Sequence, residues 1–264
     1  MSDHAASDLA AMSELAGVRA RPHPPVELLA ALHQLRSYVD VGVVIVALIV
    51  TNLLAHFATT WASIATVPVG ALVLVSLVRA RGLSWSELGL GRDQWRTGAG
   101  YALIIVAIVL VAVAVGALLP WTRPMFLDDR YATLSGAVLA SLVIIPLQTV
   151  IPEELAFRGV LQGALERVWG FRGVAAAGSL LFGLWHIASS TGLTHDNIGL
   201  TRLLGGGPLG VIAGIVIAVF ATAGAGFVFT WLRRRTGSLI APIALHWSLN
   251  GLGALAAALV WQFS

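Results

Sequence analysis

Seven runs of apolar residues, each long enough to cross a bilayer, dominate the chain. They cover roughly 39–58, 61–79, 98–119, 134–164, 173–190, 209–232 and 239–262. About 20 helical residues span a hydrocarbon core. Lipid offers the backbone no hydrogen-bond partner, so a crossing segment must be a helix or part of a closed barrel. None of the runs shows the two-residue alternation of a strand, so helices are expected. The expected fold is all-α, a polytopic membrane bundle of about seven transmembrane helices. An eighth would have to come from 191–208, which is Gly-rich and too polar to insert easily. The fourth run outlasts a span and is expected to continue as an amphipathic helix carrying Glu166 and Arg167. No internal repeat is visible.

Composition excludes several function classes. Hydrophobic residues make up 58% of the chain and charged residues 11%, against about 25% charged in soluble domains. Too little polar side chain remains to coat a water-facing surface, so a soluble enzyme and a nucleic-acid binder are both excluded. Cysteine is absent, which removes thiol catalysis, disulfides and cysteine metal sites.

Arginine supplies every basic residue, and its distribution suggests an orientation. Arg19, Arg21, Arg36, Arg79, Arg81, Arg92, Arg96, Arg167, Arg172, Arg233, Arg234 and Arg235 fall on one side of a seven-span chain. Arg123, Arg130 and Arg202 fall on the other. The rich side is expected to be cytoplasmic. The N-terminus then lies in the cytoplasm of a cell membrane, and the C-terminus outside. Residues 1–37 read as a polar cytoplasmic tail, without the apolar core of a signal peptide. Within it, Leu28 to Leu35 can form a short amphipathic helix on the membrane surface. Residues 38–264 read as one membrane-embedded domain.

Against this background three charged residues stand out inside the fourth run: Glu153, Glu154 and Arg158. A charge at mid-membrane costs about 2.5–3.5 kcal/mol on insertion scales, so three unpaired ones would cost on the order of 8–10 kcal/mol. They must face the bundle interior or a wet cavity. Glu154 and Arg158 are four apart and can pair on one helix face. Glu153 is turned about 100° away from that face. Pro146 and Pro152 free backbone carbonyls and bend the span, which can open a pocket.

Two more spans carry polar residues at depth. Phe182 and His186 lie four apart in the fifth run. His246 and Asn250 lie four apart in the seventh, after Pro242. A lone buried histidine is usually structural. Two on different helices beside a Glu–Glu–Arg cluster point to a shared polar site. His56 has no such partner pattern and is expected at the interface. His4, His23, His33 and His195 lie in polar segments. Trp61, Trp121, Trp231 and Trp261 sit near span ends, as an aromatic belt would. Trp185 and Trp247 adjoin the site histidines and can wall the pocket, with plain packing as the simpler account. Gly205-Gly206-Gly207 lacks the strand and the Lys-Ser/Thr of a phosphate loop.

Glu, His and Asn together can hydrolyse an amide. A carboxylate takes a proton from water while a histidine orients it. A second histidine and an amide donate to the developing oxyanion. No Ser–His–Asp arrangement is evident. Glu153, His186 and His246 are also acceptable zinc ligands with water fourth, although HExxH spacing is missing. The cofactor is therefore either none or Zn2+.

These residues resemble a known family. Glu153-Glu154-Leu155-Ala156-Phe157-Arg158 is similar to the EExxxR motif of the CPBP family, which comprises CAAX proteases and bacteriocin-processing or self-immunity proteins and is also called the Abi family. Phe182 to His186 resembles its FxxxH motif, and His246 to Asn250 its HxxxN motif. All three occur in the family's order, one per span, and the similarity covers roughly 134–262. The family includes type II CAAX prenyl endopeptidases, which remove the C-terminal tripeptide of prenylated proteins. The resemblance implies that Glu153 is the general base, acting with His186. It implies that Glu154 and Arg158 support the site, and that His246 and Asn250 form the oxyanion hole. The family has been described both as metalloproteases and as metal-independent glutamic proteases; two histidines and an asparagine suit the second description better. The implied partners are the lipid bilayer and a membrane-embedded peptide or lipidated protein, with no nucleic acid.

Two other readings compete with an intramembrane endopeptidase. A non-catalytic immunity or scaffold protein would keep its effect when the motif residues are replaced by alanine. An ion-coupled transporter would use the two glutamates as a relay and would show an inverted repeat.

Overall fold

The computed structural model describes residues 25–264. The expected polar stretch over 1–24, with His4, Arg19, Arg21 and His23, lies outside the described residues. The chain divides into two compact units, 1–36 and 37–264. In the first, residues 26–36 are helical and expose Leu28, Leu29, Leu32 and Leu35. They are the opening turns of a longer helix, Val26–Phe57 (α1), so 28–35 is not a separate element.

Helices follow in the second unit as the apolar runs require. They are Thr60–Ala80 (α2), Trp95–Leu118 (α3), Leu134–Trp185, Pro208–Thr236 (α6) and Ile240–Gln262 (α7). The stretch Leu134–Trp185 has 52 residues, far more than one span needs. Gly170 breaks it with φ 60° and ψ −169°, a backbone that glycine adopts without a Cβ penalty. The halves are α4 (134–169) and α5 (171–185); among the described residues six helical stretches are long and apolar enough to cross a membrane, and the break at Gly170 divides the longest, giving a bundle of seven helices. Residues 191–208 hold only the short helices Leu193–Asp196 and Ile198–Leu204, too short for an eighth. Among the described residues the only extended pairing is an isolated bridge between Asp128 and Asn197.

Helix ends carry side-chain caps. Thr59 and Thr133 accept from the amides of Ala62 and Gly136 at 3.2 and 3.3 Å, and Gly237 closes α6 in the left-handed region. Leu74, Leu88, Val160, Leu161, Leu165, Phe182 and Phe229 form the core. Leu103, Ile104 and Ile108 of α3 point outward, the apolar exterior a bilayer accepts.

α5 was expected to run to residue 190 but stops at Trp185. The carbonyl of Phe182 would normally accept from the amide of His186. It accepts instead from that residue's ring Nδ1 at 2.8 Å, while the His186 amide turns to Gly183 O at 3.1 Å. The side chain thus competes with the ladder and ends the helix.

The two ends of the second unit differ. At one, Leu239 N–H donates to Gly89 O at 2.9 Å and Arg233 to Glu87 O at 2.8 Å. Arg79, Arg81, Arg92, Arg96, Arg167, Arg172, Arg233, Arg234 and Arg235 gather there. Ser84 and Glu87 cap each other reciprocally at this end. The Ser84 amide and hydroxyl hold the Glu87 carboxyl below the usual carboxylate range. At the opposite end, Asn197 donates to Met125 O at 2.7 Å, Trp261 to Asp128 O at 3.1 Å and Arg123 to Phe263 O at 2.6 Å. That end carries only Arg123, Arg130 and Arg202.

Candidate active site

The carboxylates sit on one α-helical turn, Ile151–Glu154, between wider π-type turns over Ala140–Val150 and Leu155–Leu161. Pro146 and Pro152 each remove an amide from the ladder there. α7 is likewise widened over Ser248–Leu252, just after His246. Helix distortion thus coincides with the polar residues, and it brings Glu153, Glu154, His186 and His246 together from three spans.

Glu154 is fully buried and acts as a hub. Its Oε1 accepts from Arg158 Nη1 at 3.1 Å and from His246 Nδ1 at 2.9 Å. Arg158 is 2% exposed and also donates to Gly226 O at 3.4 Å. Its guanidinium lies 3.9 Å from the ring centre of Phe182 and 4.7 Å from that of Phe229. Two aromatic faces and one carboxylate thereby compensate the buried cation. The His246 ring stacks on Phe229 at 5.1 Å.

Glu153 faces the other way, as its rotation from Glu154 requires. Its Oε1 accepts from the Trp185 indole at 3.0 Å. Its Oε2 is buried without a hydrogen-bond partner, 4.0 Å from His186 Nε2 and 3.9 Å from His246 Nε2. Both ring tautomers follow from their other nitrogens. A carbonyl can only accept, so His186 Nδ1 carries a hydrogen; the carboxylate that Arg158 holds assigns His246 in the same way. In the neutral rings both Nε2 lone pairs therefore face Glu153 Oε2.

A cavity of about 830 Å³ opens onto this cluster. Glu153, His186, His246 and Asn250 all line it. Asn250 is exposed on its wall and makes no polar contact with the glutamates. His56, expected at the interface, sits on the cavity rim with Arg130, Tyr131 and Ser189. Asp128 grips Arg130 through both carboxylate oxygens, at 3.0 and 2.6 Å, and keeps its guanidinium more basic than usual. Burial pushes the Tyr131 phenol up.

Trp185 lines the cavity, as a pocket wall would, but its hydrogen bond to Glu153 is a contact that sequence reasoning missed. The overlooked signal is that a buried indole is donor-only and needs an acceptor. Asn52 of α1 fixes it further by donating to its carbonyl at 2.9 Å.

The zinc alternative meets a geometric obstacle. Ligands sharing a tetrahedral zinc at about 2.0–2.1 Å lie about 3.3 Å from one another. The Glu153–His186 and Glu153–His246 separations of 4.0 and 3.9 Å are wider. Among the described residues no three His, Asp or Glu side chains are grouped to hold an ion. In this geometry the donors stand wider apart than a bound zinc holds its ligands.

No curated protein and no solved structure matches the chain. A family model described as "Type II CAAX prenyl endopeptidase Rce1-like" matches residues 133–252, the segment that holds all three motifs. Over those residues the chain is similar to the Rce1-like type II CAAX prenyl endopeptidases.

Proposed function

We propose that the protein is an intramembrane endopeptidase that hydrolyses a peptide bond of a membrane-anchored or hydrophobic substrate, in the manner of CAAX processing. The observation that carries this reading is Glu153 Oε2, a buried carboxylate oxygen without a hydrogen-bond partner that faces the Nε2 atoms of His186 and His246. Separations near 4 Å suit a water that bonds to Oε2 and a ring nitrogen together.

In this scheme Glu153 Oε2 takes a proton from that water as its oxygen attacks the scissile carbonyl carbon. His186 Nε2 holds the second water proton and so orients the nucleophile. The developing oxyanion accepts from the Asn250 amide and from His246. The latter donates through Nε2 only when doubly protonated, with Glu154 as countercharge on the far nitrogen. The C–N bond then breaks as Glu153 returns its proton to the leaving amine. No covalent intermediate forms. Glu154 and Arg158 hold His246 in place.

We further place residues 1–37 as a cytoplasmic tail and 38–264 as the membrane domain, on the strength of the arginine asymmetry. A cleavage assay on the purified protein, with and without chelator, tests the mechanism. Cleavage that survives chelator and disappears in Glu153→Ala supports it. Loss to chelator with recovery on added zinc would replace it with a metal mechanism.

A further inference from the structure

A second cavity, of about 250 Å³, lies between α1 and α5. Leu48, Phe157 and Trp185 form its floor and are buried. Ile49, Leu53 and Leu184 form its mouth and are 52%, 52% and 44% exposed. The mouth is thus part of the apolar exterior, and the groove is continuous with the surface that meets lipid. Protein interiors leave few voids larger than a water, whose share of liquid volume is about 30 Å³. Water does not suit this one, because a buried water needs two to four polar partners. Asn52 brings the only polar side chain among the lining residues apart from Trp185, and its amide donates to Trp185 O at 2.9 Å. The Trp185 indole N–H is committed to Glu153. A peptide segment would strand its backbone groups here for the same reason. Hydrocarbon is the chemistry that fills the groove, and the bilayer supplies it at the mouth.

Trp185 is the one residue that lines both this groove and the cavity at Glu153. The protein holds it at three points. Glu153 accepts from its indole, Asn52 holds its carbonyl, and Phe157 packs edge-on against its ring at 5.4 Å. The groove borders the same residue, and Phe157 forms its floor beside it. We propose that the groove holds one hydrocarbon chain of a bilayer lipid, and that this chain, packed on Phe157 and Trp185, keeps the indole in place against Glu153. The lipid is then a ligand with an effect on the reactive carboxylate, although it never enters the reactive cavity. Only this effect on catalysis rests on the endopeptidase reading; the binding site does not.

Photolabelling of the wild-type protein tests the site. The probe is dioleoylphosphatidylcholine vesicles that contain an analogue with a diazirine midway along one acyl chain. Leu48 and Phe157 are 6% and 4% exposed and do not belong to the outer surface, so a chain reaches them through the groove. Mass spectrometry should find adducts on them. Adducts confined to Ile49, Leu53 and Leu184 overturn the inference. So does labelling of Leu48 and Phe157 by a peptide with a diazirine-bearing acyl anchor but not by the phospholipid, which would give the groove to the substrate. Ile49→Phe combined with Leu184→Phe fills the mouth and should remove the adducts on Phe157; their persistence also overturns the inference. A kinetic arm tests the effect on Glu153. Dioleoylphosphatidylcholine added back to delipidated protein in detergent should raise kcat severalfold and leave KM unchanged. Trp185→Phe has no indole N–H to position and should show no such rise; equal stimulation of both overturns the link to catalysis. If the adducts form as stated but no Glu153-dependent cleavage exists, the endopeptidase reading falls while the lipid site stands.

Discussion

Trp185 donates its indole N–H to Glu153 Oε1 at 3.0 Å and leaves Oε2 facing two histidines. One oxygen is thus anchored and the other is available. Trp185→Phe keeps the ring and loses the anchor. A hydrogen bond to a charged group contributes about 1.5–3 kcal/mol, so cleavage should fall about 10- to 100-fold. Cleavage at the wild-type rate by Trp185→Phe would assign Trp185 to packing alone.

Arg158 is buried against one carboxylate and two rings. Removing one partner of a buried pair strands the other, at a cost of about 3–5 kcal/mol. Arg158→Met should therefore destabilise the protein strongly in a detergent melt. Glu154→Gln combined with Arg158→Met should recover part of that stability and no activity. A double variant no more stable than Arg158→Met would show that the stranded charge is not the cause.

Asn250 gives the opposite pattern. It lies on the cavity wall and supports no other side chain. Asn250→Ala should leave the melting temperature unchanged and lower kcat about 100- to 1,000-fold, as loss of an oxyanion donor does. Comparing kcat with KM separates this from weakened substrate binding.

α5 and α6 touch at Gly183. A Cβ there would lie 2.6 Å from Val219 O and 2.9 Å from the Ala223 Cβ. Backbone cannot move aside as a flexible side chain can, so Gly183→Ala should cost about 1–3 kcal/mol and push α5, with His186, away from α6. A thermal melt measures the first effect and the cleavage rate the second.

Glu87 ties the arginine-rich end together. Its folded-state pKa is depressed, chiefly by the Ser84 amide. Its contribution to stability is therefore present above the unfolded-state pKa and is lost as pH falls through the folded value. Glu87→Gln should lower the melting temperature near neutral pH. The difference from wild type should vanish in acid.

Apolar run length made the helical membrane bundle legible, and the cost of burying charge singled out Glu153, Glu154 and Arg158. Helical spacing anticipated the Glu154–Arg158 pair. Other features depend on tertiary contact. The end of α5 at Trp185 reflects a side chain taking a backbone carbonyl, which no periodicity encodes. His56 carries no partner pattern, yet the turn between α1 and α2 sets it on the cavity rim. The meeting of His246 with Glu154 joins residues 92 apart in sequence. Only the packing of α7 on α4 brings them together.

The central claim is that Glu153 activates water for peptide hydrolysis. Purified wild type and Glu153→Gln, matched in melting temperature, should be compared on a membrane-anchored peptide by mass spectrometry of the products. The account predicts a defined cleavage by wild type and none by Glu153→Gln. Equal cleavage by both would contradict it.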